Sequence, residues 1–344
     1  MYRHTINNKE DIETIVNIYN NITGRSRTVE LHRWEWFESP FENKSYVIIN
    51  KDGDILGHHG ILSVKLNYKG KTYSTGKTEN TIMKKGYGPL YFKNEMAMHN
   101  EYISNYDILI TTTAHGVTKK IREKLGYKVF SNYVSYIKIV DFNALTFKIK
   151  NKVISRSINI FAPIVNVFLF KSKTNNKLIE KIASLQYADL EEIEIFYNRL
   201  KNDLHFSQER SRVFLEYRVL NNPYNEYFLL KLYSNNKLSG YVMYSVSDKK
   251  LQIEDILFEE KYIFQELLNR LYNYTKENKL AYAISFLTLE NSILDKKPNG
   301  YLRKVHNNKG SNKFMLKNNI IDENKDELKV ENFYLTKLFT EGIS

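Results

Sequence analysis

Between residues 45 and 83 apolar and polar positions alternate in short runs. The runs on either side of "KDGD" (51–54) are rich in β-branched and aromatic residues and predict a β-hairpin. "KTYSTGKTENTIM" (71–83) reads as a further strand with polar interruptions. The period then changes. "PLYFKNEMAMHNEYIS" (89–104) places Phe92, Met96, His99 and Ile103 on one face at helical spacing. "YDILITTTAH" (106–115) is an apolar strand, and "GVTKKIREKLGYKVF" (116–130) predicts a second helix. The order is that of an α/β fold with a mixed sheet.

The pattern half repeats itself. "LHRWEWFESPFENKSYVIINKDGDILGHHGIL" begins at Leu31, and "FLEYRVLNNPYNEYFLLKLYSNNKLSGYVMY" begins at Phe214. A shift of 183 residues brings Trp34 onto Tyr217, Pro40 onto Pro223 and Gly57 onto Gly240. Both stretches predict a short aromatic helix, a proline-marked loop, a strand, a tight turn and a second strand. Two related units follow, at 1–145 and 186–344, joined by 146–185 where the rhythm of strand and turn is lost. The same shift carries residues 84–89 onto "LLNRLY" (267–272), which has no glycine. The second unit is therefore a degenerate copy at that point.

Composition narrows the chemistry. The 344 residues are 42% apolar and 26% charged, enough to bury a sizeable core. Without cysteine there is no disulfide, thiolate metal site or thiol nucleophile, which fits a cytoplasmic protein. The start, "MYRHTINNKEDIE", has no apolar segment of the signal-peptide kind. The most apolar stretch, 154–170, contains Arg156, Asn159, Pro163 and Asn166 and is too interrupted to span a membrane. It reads as a buried inter-domain segment, with a peripheral membrane-surface helix as the alternative. A net charge of +12 suits an anionic partner. No block of like charge or arginine-rich arm singles out nucleic acid.

One stretch asks for a ligand. "MKKGYGPLYFKNE" (83–95) sets two glycines at the mouth of a helix in a chain with only 14 glycines. Pro89 fits the first helical position. Strand, glycine turn and helix together leave unpaired N–H groups and the positive end of the helix dipole facing outward. A phosphate or pyrophosphate is their natural occupant, since glycine lets its oxygens reach the amides. Neither the G-x-x-x-x-G-K-[ST] nor the G-x-G-x-x-G motif is present.

The run Lys85-Gly86-Tyr87-Gly88-Pro89 resembles the coenzyme A pyrophosphate loop of the GNAT acyltransferases. That pattern is Arg or Gln, two residues, Gly, one residue, then Gly or Ala. Leu125-Gly126-Tyr127 resembles the family's Leu-Gly-aromatic turn after the next helix. The whole chain looks like the tandem GNAT-like proteins often encoded among bacterial surface-polysaccharide genes. Trp34 to Pro40, "GDILGHHGIL" (53–62), "FLEYRVLNNP" (214–223), "GYVMY" (240–244) and "ENFYLTKLF" (331–339) carry that likeness. It departs from the family at Lys85 for Arg, at Leu90 for a small residue, and at Arg122 where many members have a tyrosine general acid.

The resemblance implies a GNAT-type N-acetyltransferase with acetyl-CoA as cosubstrate. The coenzyme would lie on Ile82, Met83, Lys85, Gly86, Tyr87, Gly88, Pro89 and Leu90. The acceptor would be an amine of an amino sugar carried on a nucleotide or lipid. Two other readings stay open: an aminoacyl-tRNA-dependent transferase acting on cell-wall precursors, and an inactive tandem that only binds a ligand.

Amide formation from a thioester needs a base for the amine and a donor for the oxyanion. Glu79 and His115 are the candidate bases, the first on the strand before the loop and the second closing the next strand. Glu79 could equally be a salt-bridged strand carboxylate, and His115 a structural strand end. A backbone N–H between Asn80 and Met83 would hold the oxyanion. His58 and His59 are adjacent, so a strand points them to opposite faces and they cannot chelate as a pair. No metal site is expected. "RWEWF" (33–37) and "EYRVL" (216–220) read as core before sugar platforms, and Arg218 could meet an anionic group of the acceptor.

Overall fold

The computed structural model describes residues 1–4, 8–114, 116–141, 174–175, 178–204, 206–308, 310–319 and 328–340. His115 and the stretch 154–170 lie outside the described residues. The domain limits 1–145, 146–185 and 186–344 remain a proposal, and a short strand, Ile179–Ser184, falls inside the expected linker.

The first half contributes strands β1 (Tyr2–His4), β2 (Lys44–Ile49), β3 (Ile55–Tyr68), β4 (Lys71–Met83), β5 (Ile108–Ala114) and β6 (Lys128–Ile139). Its helices are α1 (Lys9–Thr23), α2 (Val29–Phe37), α3 (Gly88–Tyr102) and α4 (Gly116–Lys124). The second half adds β7 (Ile179–Ser184), β8 (Phe206–Gln208), β9 (Phe228–Ser234), β10 (Lys237–Ser247), β11 (Lys250–Phe258), β12 (Ala283–Leu289), β13 (Leu302–His306), β14 (Lys313–Asn318) and β15 (Phe333–Tyr334). Its helices are α5 (Tyr187–Leu200), α6 (Arg212–Leu215, continued by a π turn to Leu220), α7 (Lys261–Glu277) and α8 (Lys337–Thr340).

All the strands join one mixed sheet, ordered β1-β2-β3-β4-β5-β14-β6-β12-β11-β10-β9-β7 along its main path. The hairpin turns follow from local chemistry. Gly53 takes φ +91° between β2 and β3, while Asn235 and Asn236 take φ +50° and +61° between β9 and β10. β4 with β5 in the first half and β11 with β12 in the second pair in parallel and are flanked by antiparallel neighbours, and the short β8 and β15 also pair in parallel. The halves do not separate along the chain. β14 inserts between β5 and β6, and β6 turns its other end to β12 and β13.

α1 packs Ile15, Ile18 and Tyr19 against Val47, Ile55 and Ile82. α3 and α4 cover the opposite face through Tyr91, Met98, Tyr102, Ile121 and Leu125. The face of α3 that turns inward is not the expected one. Tyr91, Glu95, Met98, His99 and Tyr102 are buried, whereas Met96 is 40% exposed and Phe92 only partly covered. The apolar stripe misleads here because the buried face carries a charge that Arg122 neutralises. The second predicted helix also ends early, at Lys124. Gly126, at φ +87°, closes its last turn and Lys128 begins β6.

Trp34 and Tyr217, counterparts in the sequence, stack on each other with ring centroids 4.9 Å apart. The Tyr217 hydroxyl donates to the carbonyls of Trp34 and Glu35, each at 3.1 Å. Both tryptophans of α2 are buried, as a core reading of "RWEWF" requires.

The crossed strands give a direct expectation. A chain ending at residue 312 lacks β14 and leaves β5 and β6 with open edges in the first half. Its near-ultraviolet circular dichroism and cooperative melt are expected to collapse for the whole protein. A native-like melt of the first half alone would contradict the shared sheet.

Candidate functional site

β4 ends at Met83 and the chain turns over 84–87 into α3. The Lys84 N–H donates to the Leu56 carbonyl at 2.8 Å, which anchors the turn. Gly86 has φ +96°, a conformation that glycine adopts without strain. No side chain caps α3, whose first turn carries Pro89. Lys84 to Pro89 are all exposed, and a Cβ built on Gly86 or Gly88 would meet nothing within 4 Å. Protein packing therefore does not require glycine at 88. What the turn offers is an open helix start with two lysines beside it.

The other residues expected at the coenzyme differ in access. Met83 and Leu90 are partly buried against the α3 cluster. The Ile82 side chain is buried on the α1 side of the sheet, so only its backbone can face a ligand near the loop.

Next to this turn the sheet opens. β4 pairs with β5 over Thr75–Thr78 and Ile108–Thr111, and the pairing then stops. Glu79 is the first residue past that point. It is 5% exposed, accepts a hydrogen bond from Thr112 Oγ1 at 2.9 Å and pairs with Lys77 Nζ at 2.9 Å. Burial lowers the Lys77 pKa, with Glu79 opposing that shift.

Immediately after Glu79, β4 bulges. His58 pairs with Ile82 and Gly60 with Glu79, so Asn80 and Thr81 both stand opposite His59. Asn80 adopts φ +50°. On the α2 side its amide donates to Glu35 Oε2 at 2.6 Å, and Glu35 forms a fully buried ion pair with Arg27. His58 Nδ1 lies 3.0 Å from the Asn80 carbonyl, and its Nε2 is 2.9 Å from Ser45 Oγ. On the α3 side Thr81 Oγ1 lies 2.9 Å from His59 Nδ1 and accepts from Arg122 Nη2 at 3.3 Å. Arg122 forms a second buried ion pair with Glu95, whose other oxygen is 3.3 Å from His59 Nδ1.

The adjacent histidines thus face opposite sides of the sheet, as strand geometry requires. Burial pushes the His58 pKa down to about 3 and His59 to about 4, the latter against the pull of Glu95. Both are neutral near pH 7. Burial opposes ionisation of Glu95, but Arg122 and His59 outweigh it and hold its pKa below the usual value.

Two cavities flank the Glu79 region. One, of about 210 Å³, lies beyond Thr112 where the two halves cross, among Thr113, Tyr133, His306, Ser311 and Asn312. None of the side chains that line it is acidic or lysine or arginine. The other, near Glu35, Lys77 and Arg218, has about 30 Å³, room for one water. Arg218 is thus placed beside the buried charges.

The second half repeats the opening but not the loop. β11 pairs with β12 over Lys250–Ile253, then bulges at Glu254, which receives Ser245 Oγ at 2.7 Å and Lys337 Nζ at 2.9 Å. The chain enters α7 through Glu259 and Glu260 instead of two lysines and glycines.

Sequence reasoning singled out Glu79, the glycine turn and Arg122 but not Arg27, Glu35 or Glu95, the other charged groups around the bulge. Glu95 had a signal. It stands in the 91, 95, 98, 102 spacing of one helix face, an acid in a stripe that must face something.

The neutral histidines set a pH dependence. An unfolded histidine titrates near 6.5, far above the folded values of His58 and His59. Below pH 6.5 the unfolded state binds more protons, so stability is lost as pH falls toward 4. The melting temperature is expected to drop over that window, with a shallower slope in His58→Asn. An equal slope in that variant would exclude His58 as a source.

No protein-family model matches the chain, and no curated protein matches it either. Solved structures do. One is a protein of unknown function from Enterococcus faecalis described as a probable N-acyltransferase, with TM-score 0.63 and 12% identity over 93% of this chain and 72% of that one. Another is a GCN5-related N-acetyltransferase from Anabaena variabilis, with TM-score 0.61 and 10% identity over 92% and 72%. A third is the N-myristoyltransferase of Saccharomyces cerevisiae with bound myristoyl-CoA, with TM-score 0.55 and 11% identity over 92% and 78%. At these identities the likeness is one of fold: this chain shares the mixed α/β architecture of GNAT-type N-acyltransferases.

Proposed function

We propose that the protein is an acyl-CoA-dependent N-acyltransferase of the GNAT type, using acetyl-CoA as cosubstrate and acting in the cytoplasm. The observation that carries this reading is the exposed Lys84–Gly88 turn at the uncapped start of α3, beside the place where β4 leaves β5. A pyrophosphate on that turn would let the thioester descend into the opening past Glu79. The second half would be a degenerate copy, since Glu259 and Glu260 occupy the equivalent approach.

The chemistry assigns roles within reach of that opening. The amine must lose a proton as it attacks, and Glu79 is the carboxylate at the mouth of the gap, directly or through one water. The departing thiol has an ordinary pKa of about 8.5, so a water can protonate it. The acceptor amine would enter from the 210 Å³ cavity next to Thr112. Hydroxyl, amide and imidazole groups in its wall favour a small hydroxylated acceptor, and an amino sugar is the class proposed.

Melting with and without acetyl-CoA tests the reading. Ligand at about 100 times its Kd adds about 2.7 kcal/mol, an upward shift of several degrees. Gly88→Val should melt at the wild-type temperature, because the site is open, yet lose that shift. A shift retained in the variant would displace the loop assignment. No shift in the wild type, with salt-sensitive tRNA binding instead, would replace acetyl-CoA by aminoacyl-tRNA. With an amino-sugar acceptor, Glu79→Gln is expected to bind acetyl-CoA while turnover falls about a hundredfold or more. Unchanged turnover would remove Glu79 as the base.

A further inference from the structure

β13 and β14 follow one another along the edge of β6 that faces away from β12, and the register between them has a gap. His306 pairs with Tyr133, and Lys313 pairs with Asn132. Those partners are consecutive on β6, yet residues 307–312 stand between His306 and Lys313. A continuous strand would have kept the ladder paired through this point. Instead the chain leaves it for "NNKGSN" and returns at the next position of the same edge.

The core does not require the excursion, since none of its side chains is apolar. Its shape is nevertheless fixed. The Ser311 N–H donates to the Asn308 carbonyl at 2.9 Å, and Gly310 takes φ +98°. At its feet His306 Nε2 lies 2.7 Å from Ser135 Oγ, while Lys313 Nζ donates to Asn132 Oδ1 at 2.6 Å and to the His306 carbonyl at 3.4 Å. Loops held this way on a rigid sheet commonly carry recognition groups.

What the excursion borders is the 210 Å³ cavity. Its Ser311 and Asn312, with His306, line that space together with Thr112 and Thr113 of β5. Thr112 Oγ1 in turn donates to Glu79 Oε1 at 2.9 Å. An inserted polar segment of the second half and the carboxylate at the strand gap of the first half therefore serve one space.

We propose that the Ser311–Asn312 end of this excursion selects the acceptor, by hydrogen-bonding hydroxyl groups of a polyhydroxylated amine held in the cavity. This deepens the acyltransferase reading above and rests on it. A ring amine without hydroxyls would leave these polar groups unpaired, and such sites discriminate through what they fail to satisfy.

Glucosamine and cyclohexylamine, six-membered rings with and without hydroxyls, test the proposal with acetyl-CoA as donor. The readout is the ratio of their kcat/KM values, which a general loss of activity does not move. Ser311→Ala and Asn312→Ala are each expected to lower the glucosamine-to-cyclohexylamine ratio about three- to tenfold, the worth of one hydrogen bond. Ser311→Thr, which keeps the hydroxyl, should hold the wild-type ratio. Deleting residues 307–312 joins His306 to Lys313 with both partners on β6 retained, and should lower the ratio further while leaving the acetyl-CoA melting shift at its wild-type size. If the deletion does not melt cooperatively, the two alanine variants decide. An unchanged ratio in them, or a wild type that acetylates neither amine although acetyl-CoA raises its melting temperature, overturns this inference alone. No acetyl-CoA shift in the wild type removes the acyltransferase reading and this inference with it.

Discussion

β6 is hydrogen-bonded along both edges, and the rest of the molecule hangs on that strand. Its first residues, Lys128 to Asn132, pair with β14, while Tyr133 to Ile139 pair with β12 and Tyr133 to Ile137, on the other edge, with β13. Backbone groups at the centre of a protein must be paired, and here each half completes the other's ladder. α4 reaches β6 through Leu125-Gly126-Tyr127, so the same strand also fixes Arg122 over β4. The opening beside Glu79 is held between two parts of one continuous sheet.

On this shared frame the halves have taken opposite electrostatic roles. Both have a strand that bulges where its parallel neighbour departs, and both place a glutamate there, Glu79 and Glu254. The turns that follow differ in sign: Lys84 and Lys85 in one, Glu259 and Glu260 in the other. The first can draw an anion to the start of its helix. In the second, Glu259 pairs with Arg199, and Lys337 from the last described helix pairs with Glu254.

Much of this was legible in the sequence. The hairpins were marked by Gly53 and by Asn235-Asn236 and the turn before α3 by its glycines, and Trp34 and Tyr217, matched in the sequence, touch. What was not legible depends on long-range pairing. The pairing of Glu95 with Arg122 was not legible, because a helix shows its inward face through apolar spacing and a buried ion pair erases that signal. The bulge was hidden for a related reason. It is two residues against one, a relation between strands that β4 alone does not contain. The crossing of β14 into the first half has no local signature at all.

That crossing has a consequence in time. A chain is made from its N-terminus, yet β14, some 200 residues after β5, lies at the middle of the sheet between β5 and β6. At about 5–20 residues per second, β5 waits roughly 10–40 s on the ribosome for the neighbour that covers its edge. During that interval Leu109 and Ile110 sit on a strand paired with β4 along one edge only, and an open edge invites contact with other chains. The centre of this sheet is completed only near the end of the chain.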